Sequence, residues 1–313
     1  MRFELRNGLW TLGEPVVGPP PMTLAVEAAG AVLEWPLGAA PDAAPTITFL
    51  DTDEAYWLWR LVGEDGHARL LVAVAAATPI DLETAFDDDL RLTLHRLGHA
   101  LWARAWWPAS RVDGLPDLPD SLLLDDIVAL CEVLEPILGD VLPDDQPAAP
   151  TLPRRTEFAL AASGDTAEAH AEPLASGAAP LSWQGVPAGV FDATEHPVRW
   201  SVEAHNDVEL TVRVTLADPA RRSAQGIAVA AEVPGLPPAT GHLDERGQEV
   251  LTLPLAPRDA WTQDWDALDV RVGVGTPEPR SMRDAIRAHA RARLATQDAL
   301  SLAAEEFLRQ LDY

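Results

Sequence analysis

The spacing of apolar residues changes repeatedly along the chain, and this pattern constrains the fold more than any other feature of the sequence. Segments in which apolar and polar residues alternate predict strands, whereas apolar residues three and four positions apart predict helices. Alternating segments come first, two helical segments follow, alternating segments return, and one more helical segment comes last. This order predicts an α+β protein with antiparallel sheets and helices segregated from them.

Residues 1–142 are predicted to form an α+β domain that begins with an antiparallel β-meander. The dipeptide Asn-Gly between apolar arms is typical of a tight hairpin, because both turn residues tolerate a positive φ. Alternation and turn residues predict the other strands. The meander is assigned to a hairpin at Asn7-Gly8, a hairpin over 22–37 that bends near Gly30, and strands over 56–62 and 67–75.

Two helices are predicted to follow the meander. Leucines at helical spacing indicate the first helix over 79–108, in which Asp87–Asp89 form either an acidic first turn or a local break. The second helix is expected over 120–138, and Pro136 should kink or end it. We expect both helices to cover one face of the sheet.

The second half of the chain is predicted to hold a β-sandwich and a terminal helix. Residues 143–155 are rich in proline and aspartate and are interpreted as a linker. Short alternating segments over 156–279 predict the sandwich. Within it, 241–251 resembles the strand–turn–strand of transthyretin-like sandwich modules, which implies a fold type and no function. Residues 280–313 predict one long amphipathic helix.

Composition excludes several classes of function. The chain has 49 acidic and 23 basic residues and a net charge of −26, and every basic residue is arginine. The absence of lysine excludes Schiff-base chemistry and a P-loop lysine, and is typical of a GC-rich bacterial genome. The negative charge opposes binding to nucleic acid and to anionic membranes, so we expect neither partner. A single cysteine and no long apolar run favour a cytoplasmic protein.

Few residues offer catalytic chemistry. His95 and His99 are one helical turn apart, and Asp88 lies on the same helical face, so the three residues could bind Zn²⁺ in a metal-dependent hydrolase. The glutamate of the HExxH motif is missing, and packing of both histidines within the protein is the alternative. Cys131 is expected to pack as a small apolar residue. No nucleophile elbow or phosphate loop occurs. We therefore predict no catalytic residue, no metal ligand and no cofactor.

Five residues are candidates for contact with another molecule. Arg283, Arg287 and Arg291 follow one another at four-residue spacing, so they repel one another near a helix N-terminus that itself disfavours cations. Their counter-charge is either acidic surface of this chain, another protein or a second copy. Trp261 and Trp265 lie in an acidic loop of the predicted sandwich, where an exposed tryptophan would be an interface anchor.

The sequence as a whole favours a non-enzymatic interaction protein. We expect an adaptor or scaffold subunit of a larger bacterial assembly, such as a defence or signalling system, that contacts another protein through the C-terminal helix or the sandwich loops. A homo-oligomer remains open. The alternatives are the metal-dependent hydrolase and an acidic mimic of nucleic acid.

Overall fold

The fold is α+β, as the sequence predicts. A computed structural model describes residues 1–82, 86–139 and 173–311. Antiparallel strands and helices form the first part, two further antiparallel sheets form the second, and helices complete the C-terminal part. The predicted linker over 143–155 lies outside the described residues. None of the helices in the described ranges is long and apolar enough to cross a membrane.

The first sheet has six strands in the order β3-β4-β5-β2-β1-β6. Both predicted hairpins are present, and Asn7 and Gly8 adopt φ values of 49° and 87° in the first of them. Gly30 turns the second with a φ of 70°, and a Cβ there would lie 2.2 Å from the carbonyl oxygen of Asp51. The strands are β1 Arg2–Arg6, β2 Leu9–Leu12, β3 Thr23–Ala28, β4 Ala31–Pro36, β5 Thr46–Phe49 and β6 Ile80–Asp81.

The strands predicted over 56–62 and 67–75 are wrong, because this segment is helical. After a short 3₁₀ turn, helix α1 spans Trp59–Ala76. The alternation of three apolar residues suggested a strand, but the buried residues recur at helical spacing. Those buried residues are Leu61, Val62, Gly66, Leu70 and Ala73. The helix has a local break at Gly63, where φ is 76°.

Two further helices pack on the first sheet and on each other. Helix α2, Asp88–Trp106, begins later than predicted, because Asp87 caps it by accepting a hydrogen bond from the Leu90 amide. The Cβ that Gly98 lacks would lie 3.2 Å from the Val26 side chain, so α2 approaches β3 closely. Helix α3, Asp120–Leu138, has the predicted bounds, with Pro136 in its last turn.

The second region has the predicted two-sheet arrangement around its own core. One sheet has the order β12-β9-β8-β7 and the other β11-β10-β13. The segment 241–251 crosses from β11 to β12, so its strands belong to different sheets. The elements are β7 Ala175–Ala179, β8 Val198–Ala204, β9 Val208–Val214, β10 Ala228–Glu232, β11 Ala239–His242, β12 Gln248–Leu253, α4 Pro257–Ala260 and β13 Asp269–Val272.

The single long helix predicted near the C-terminus is instead two helices. Helix α5 spans Arg280–Ala295 and helix α6 spans Ala303–Leu311. The chain is extended at Thr296 and then turns, with the Asp298 amide donating to the Ser301 hydroxyl. Both helices join the core of the first region through buried apolar residues. These are Ile286, Ala290, Leu302 and Ala304.

Candidate functional site

A cluster of buried charged and polar groups lies where α2, α5 and α6 meet. His99 Nε2 is 2.9 Å from Glu305 Oε1, and both side chains are almost completely buried. Arg293 donates to both oxygens of the same carboxylate, at 3.1 Å from Nε and 2.9 Å from a terminal nitrogen. The backbone amide of Leu302 also donates to Glu305 at 3.1 Å. This carboxylate therefore has four donors and joins three helices.

Glu305 is the third residue of α6, and this position explains its hydrogen bond with the Leu302 amide. A glutamate there can reach back to the amide at the helix start, which is half of a capping box. Burial alone would raise the pKa of the Glu305 carboxyl, but the hydrogen bonds from His99 and Arg293 outweigh burial and lower this pKa to about 2. Glu305 is thus ionised at neutral pH, and Asp298 accepts the remaining hydrogen bonds of Arg293.

The His99–Glu305 pair is enclosed by the described residues. A carboxylate that orients an imidazole is common in catalysis, but the imidazole must then reach the group from which it takes a proton. His99 is only 1% exposed. A nearby groove of about 330 Å³ is lined by Leu101, Trp102 and Trp106 but not by His99.

His95 lies apart from this network in an apolar environment. Its ring stacks parallel to Trp35, with centroids 4.8 Å apart, and it is 0% exposed. Within the described residues, His95 has at most a weak interaction with the Pro41 backbone, and Nε2 of His289 has no hydrogen-bond partner. Burial lowers the pKa of both His95 and His289 to about 4. Both imidazoles are therefore neutral at pH 7.

The residues of the alternative metal site are not brought together. Asp88 is exposed and bonds to Arg91 at 2.9 Å, His99 bonds to Glu305, and His95 stacks on Trp35. Within 1–82, 86–139 and 173–311, no group of three His, Cys, Asp or Glu side chains could hold a metal ion. The described residues thus offer no support for the hydrolase alternative.

Arg283 and Arg287 find their counter-charge within the chain. Glu195, which precedes the sandwich strand β8, accepts hydrogen bonds from Arg283 at 2.5 Å and from Arg287 at 2.8 Å. Both arginines are buried, whereas Arg291 is exposed. Burial would raise the pKa of Glu195, but the two arginines outweigh it and lower this pKa. Two of the three candidate arginines therefore fix α5 to the sandwich.

A second carboxylate, that of Asp192, connects the sandwich to the segment that follows α2, and the sequence analysis did not identify it. Asp192 is fully buried and accepts from the Ser110 hydroxyl at 2.6 Å and from the Arg111 amide at 2.8 Å. It also accepts from the amide of Thr194 at 2.9 Å. Ser110 lies 82 positions earlier in the chain, so no local spacing could have indicated this contact.

The two candidate tryptophans of the sandwich have opposite environments. Trp265 is 8% exposed, and its indole nitrogen donates to the carbonyl of Ala260 at 3.0 Å. Trp261 is 75% exposed. The buried indole thus fixes the loop from which the exposed one projects. Three exposed aspartates, at 259, 264 and 266, surround Trp261 in sequence.

Cys131 fits the packing role expected for it. The side chain is half-buried on α3, and burial raises the pKa of its thiol. The thiol is therefore protonated at neutral pH and is a poor nucleophile.

Comparison of the chain with protein-family models, with curated proteins and with solved structures finds no significant match in any of the three.

Proposed function

We propose that this protein is a non-enzymatic adaptor or scaffold subunit of a larger cytoplasmic assembly in bacteria. The exposure of Trp261 on a fixed loop carries the proposal. Large aromatic side chains anchor many protein interfaces, and a loop that is already ordered loses little entropy on binding. The hydrogen bond from Trp265 to Ala260 supplies this order. The charged groups that could have done chemistry are occupied inside the protein, as Glu305 and His99 illustrate.

The surroundings of Trp261 define the chemistry of the partner surface. Asp259, Asp264 and Asp266 are exposed and lie within five residues of Trp261 in sequence, and Asp259 is 3.5 Å from the exposed Arg258 guanidinium. A complementary surface has an apolar pocket for the indole and arginine or lysine residues at its rim, because complementary potentials favour association and exclude other partners. The whole chain, with a net charge of −26, also attracts a basic partner at long range.

The C-terminal helices can contribute to docking only through their outer faces. Arg283 and Arg287 are used by Glu195, and Ile286 and Ala290 belong to the core of the first region. Arg291 remains exposed. Removing this segment would therefore disturb the core as well as any interface, so single substitutions are the appropriate test.

The proposal is tested by recovering the tagged protein from its native host and identifying co-purified proteins by mass spectrometry. We expect to recover a partner in stoichiometric amount. Trp261→Ala should weaken the affinity for this partner by about 30-fold or more, as for an interface anchor. Tyr56→Ala is the matched control, because Tyr56 is 70% exposed in the other region and should not affect the partner. Equal recovery of the partner by both variants would overturn the docking role of Trp261.

A further inference from the structure

The outer face of the four-stranded sheet places its two arginines side by side. Arg199 of β8 is directly opposite Arg213 of β9, and both are exposed. No carboxylate of the described residues lies within 4.0 Å of either guanidinium, although most arginines in those ranges have such a partner or a carbonyl acceptor. Like charges directly opposite on neighbouring strands destabilise a sheet. Among the described residues, nothing compensates this arrangement.

The same face carries a matching pair of glutamates. Glu203 of β8 is directly opposite Glu209 of β9. Within the described residues, Glu203 has only exposed His205 nearby, at 3.3 Å, and Glu209 has no cationic partner. The four residues thus form an arginine row and a glutamate row, and within the described ranges neither row has an arginine–carboxylate ion pair.

The two rows are equally distant from a central row of uncharged residues. On β8, Ser201 lies two residues from Arg199 and two from Glu203, and on β9 Thr211 lies two residues from Glu209 and two from Arg213. Ser176 on β7 and Val250 on β12 extend this central row in register. None of its four members carries a charge or a long side chain.

We propose that this face is the interface between two copies of the chain. The proposed two-fold axis lies in the plane of the interface, runs perpendicular to the strands and passes level with Ser201 and Thr211. Rotation about this axis places β8 of the second copy over β8 of the first, and β9 over β9, with each strand running in the opposite direction. Arg199 then faces Glu203 of the second copy, and Arg213 faces Glu209 of the second copy. A two-fold interface requires such a self-complementary surface. Both like-charge pairs are compensated at once.

Other arrangements of two copies do not compensate the charges. An axis parallel to the strands would place arginine over arginine and glutamate over glutamate. In the proposed arrangement, packed sheets lie about 10 Å apart, which an extended arginine and a glutamate can bridge. The short side chains of Ser176, Ser201 and Thr211 allow this approach at the centre.

The size of the face determines how strong the dimer should be. Four strands about 4.8 Å apart and five residues long cover roughly 300 Å² per copy. Stable interfaces bury about 800 Å² per partner, so we expect a weak dimer that forms at high protein concentration. Two copies of net charge −26 repel at long range, and this repulsion is screened beyond about 8 Å at physiological salt. At very low salt, this repulsion is unscreened and should weaken the dimer. At high salt, the arginine–glutamate attraction across the interface is screened, and the dimer should weaken again.

The test is sedimentation equilibrium of the full chain at protein concentrations from about 10 to 500 µM, the range in which so small an interface should associate. We expect reversible dimerisation that either Arg213→Glu or Glu209→Arg weakens by more than about tenfold, through two like-charge contacts. An equimolar mixture of the two variants should dimerise, because each supplies the charge that the other needs. The double variant R213E/E209R should also recover dimerisation.

Arg60→Glu is the control, because Arg60 is exposed on α1 and has no role in the proposed interface. It should dimerise as the unmodified chain does. A chain that stays monomeric at the highest concentration would overturn the proposal. Dimers that are unaffected by the single variants, or a mixture that associates no better than either variant alone, would also overturn it.

Discussion

Two pairs of arginines in this molecule have opposite environments. Arg283 and Arg287 on α5 are buried and share the carboxylate of Glu195. Arg199 and Arg213 on the sheet are exposed and lie opposite each other, and no carboxylate in the part of the chain that the structure describes pairs with them. Burial of a charge without a partner costs several kcal/mol, so the first pair must be compensated inside the chain. Water solvates the exposed charges of Arg199 and Arg213, so the free-energy cost of leaving them unpaired in the monomer is small. The buried pair therefore belongs to the internal packing of the chain, and the exposed pair remains accessible at the surface.

The strongest test of the architectural side is Glu305→Gln. This variant leaves Arg293 and His99 buried without their carboxylate, so we expect a loss of about 3 kcal/mol or more in the free energy of unfolding. Urea denaturation followed by tryptophan fluorescence measures it. Glu306→Gln is the control, since Glu306 is half-buried and bonds only to Gln297, and it should change stability by less than about 0.5 kcal/mol. Equal effects of the two variants would contradict the structural role of Glu305.

Acid should destabilise the fold through His95, which is completely buried. The pKa of His95 is about 4 in the folded protein and 6.5 in its reference state, so the unfolded chain takes up the proton first as the pH falls. Stability from this residue is present above pH 6.5 and decreases as the pH falls from 6.5 to 4. We expect His95 to lower the free energy of unfolding by about 2 kcal/mol between pH 7 and pH 5.

His95→Phe sharpens this prediction, because it keeps a flat ring against Trp35 and removes the titration. Urea denaturation at pH 7 and pH 5 should show a pH-dependent loss smaller by about 2 kcal/mol than in the unmodified chain. An unchanged pH dependence in His95→Phe would rule out His95 as its source.

Arg287→Ala and Arg291→Ala compare a buried and an exposed arginine one turn apart on α5. Arg287→Ala removes hydrogen bonds to Glu195, Asp284 and the carbonyl of Ala193, so we expect a loss of about 2 kcal/mol. Arg291→Ala should change stability by less than about 0.5 kcal/mol. Thermal and urea denaturation of both variants measure the two losses. A larger loss of stability in Arg291→Ala than in Arg287→Ala would contradict the structural role of Arg287.

The smallest expected effect has the opposite sign. Arg213→Thr removes one of the two opposed charges on the sheet and introduces a residue that favours strands, so a dilute sample should gain a few tenths of a kcal/mol. Urea denaturation at a protein concentration too low for dimers measures the monomer alone. A loss of more than about 0.5 kcal/mol would show that Arg213 has a compensating contact within the chain.

The sequence predicted the elements whose signals are local. Helix α3 has its predicted bounds, and β8, β9, β10, β12 and β13 coincide with the alternating segments. Strands β7 and β11 consist mainly of small residues and gave no alternating signal. The segment of α1 was predicted wrongly, because Trp57, Trp59 and Leu61 alternate over a stretch too short to separate a strand from a helix. The long C-terminal helix was predicted as one piece because its apolar stripe continues past the turn at Asp298 and Ser301.

The contacts of the candidate site could be predicted only in part. The spacing of Arg283 and Arg287 indicated that they need negative charge, but any of 49 acidic residues could have supplied it. Glu195 lies 88 positions before Arg283, and Glu305 lies 206 positions after His99. Such pairings depend on how the sandwich and the helices pack, which no local pattern records.

The native mass of the complex recovered from the host tests the adaptor proposal most directly. We predict a mass that equals this chain plus a second, different protein in whole-number ratio, with the second protein lost from the Trp261→Ala variant. A mass that corresponds to one copy of the chain alone, or to two copies and nothing else, would contradict the proposed function.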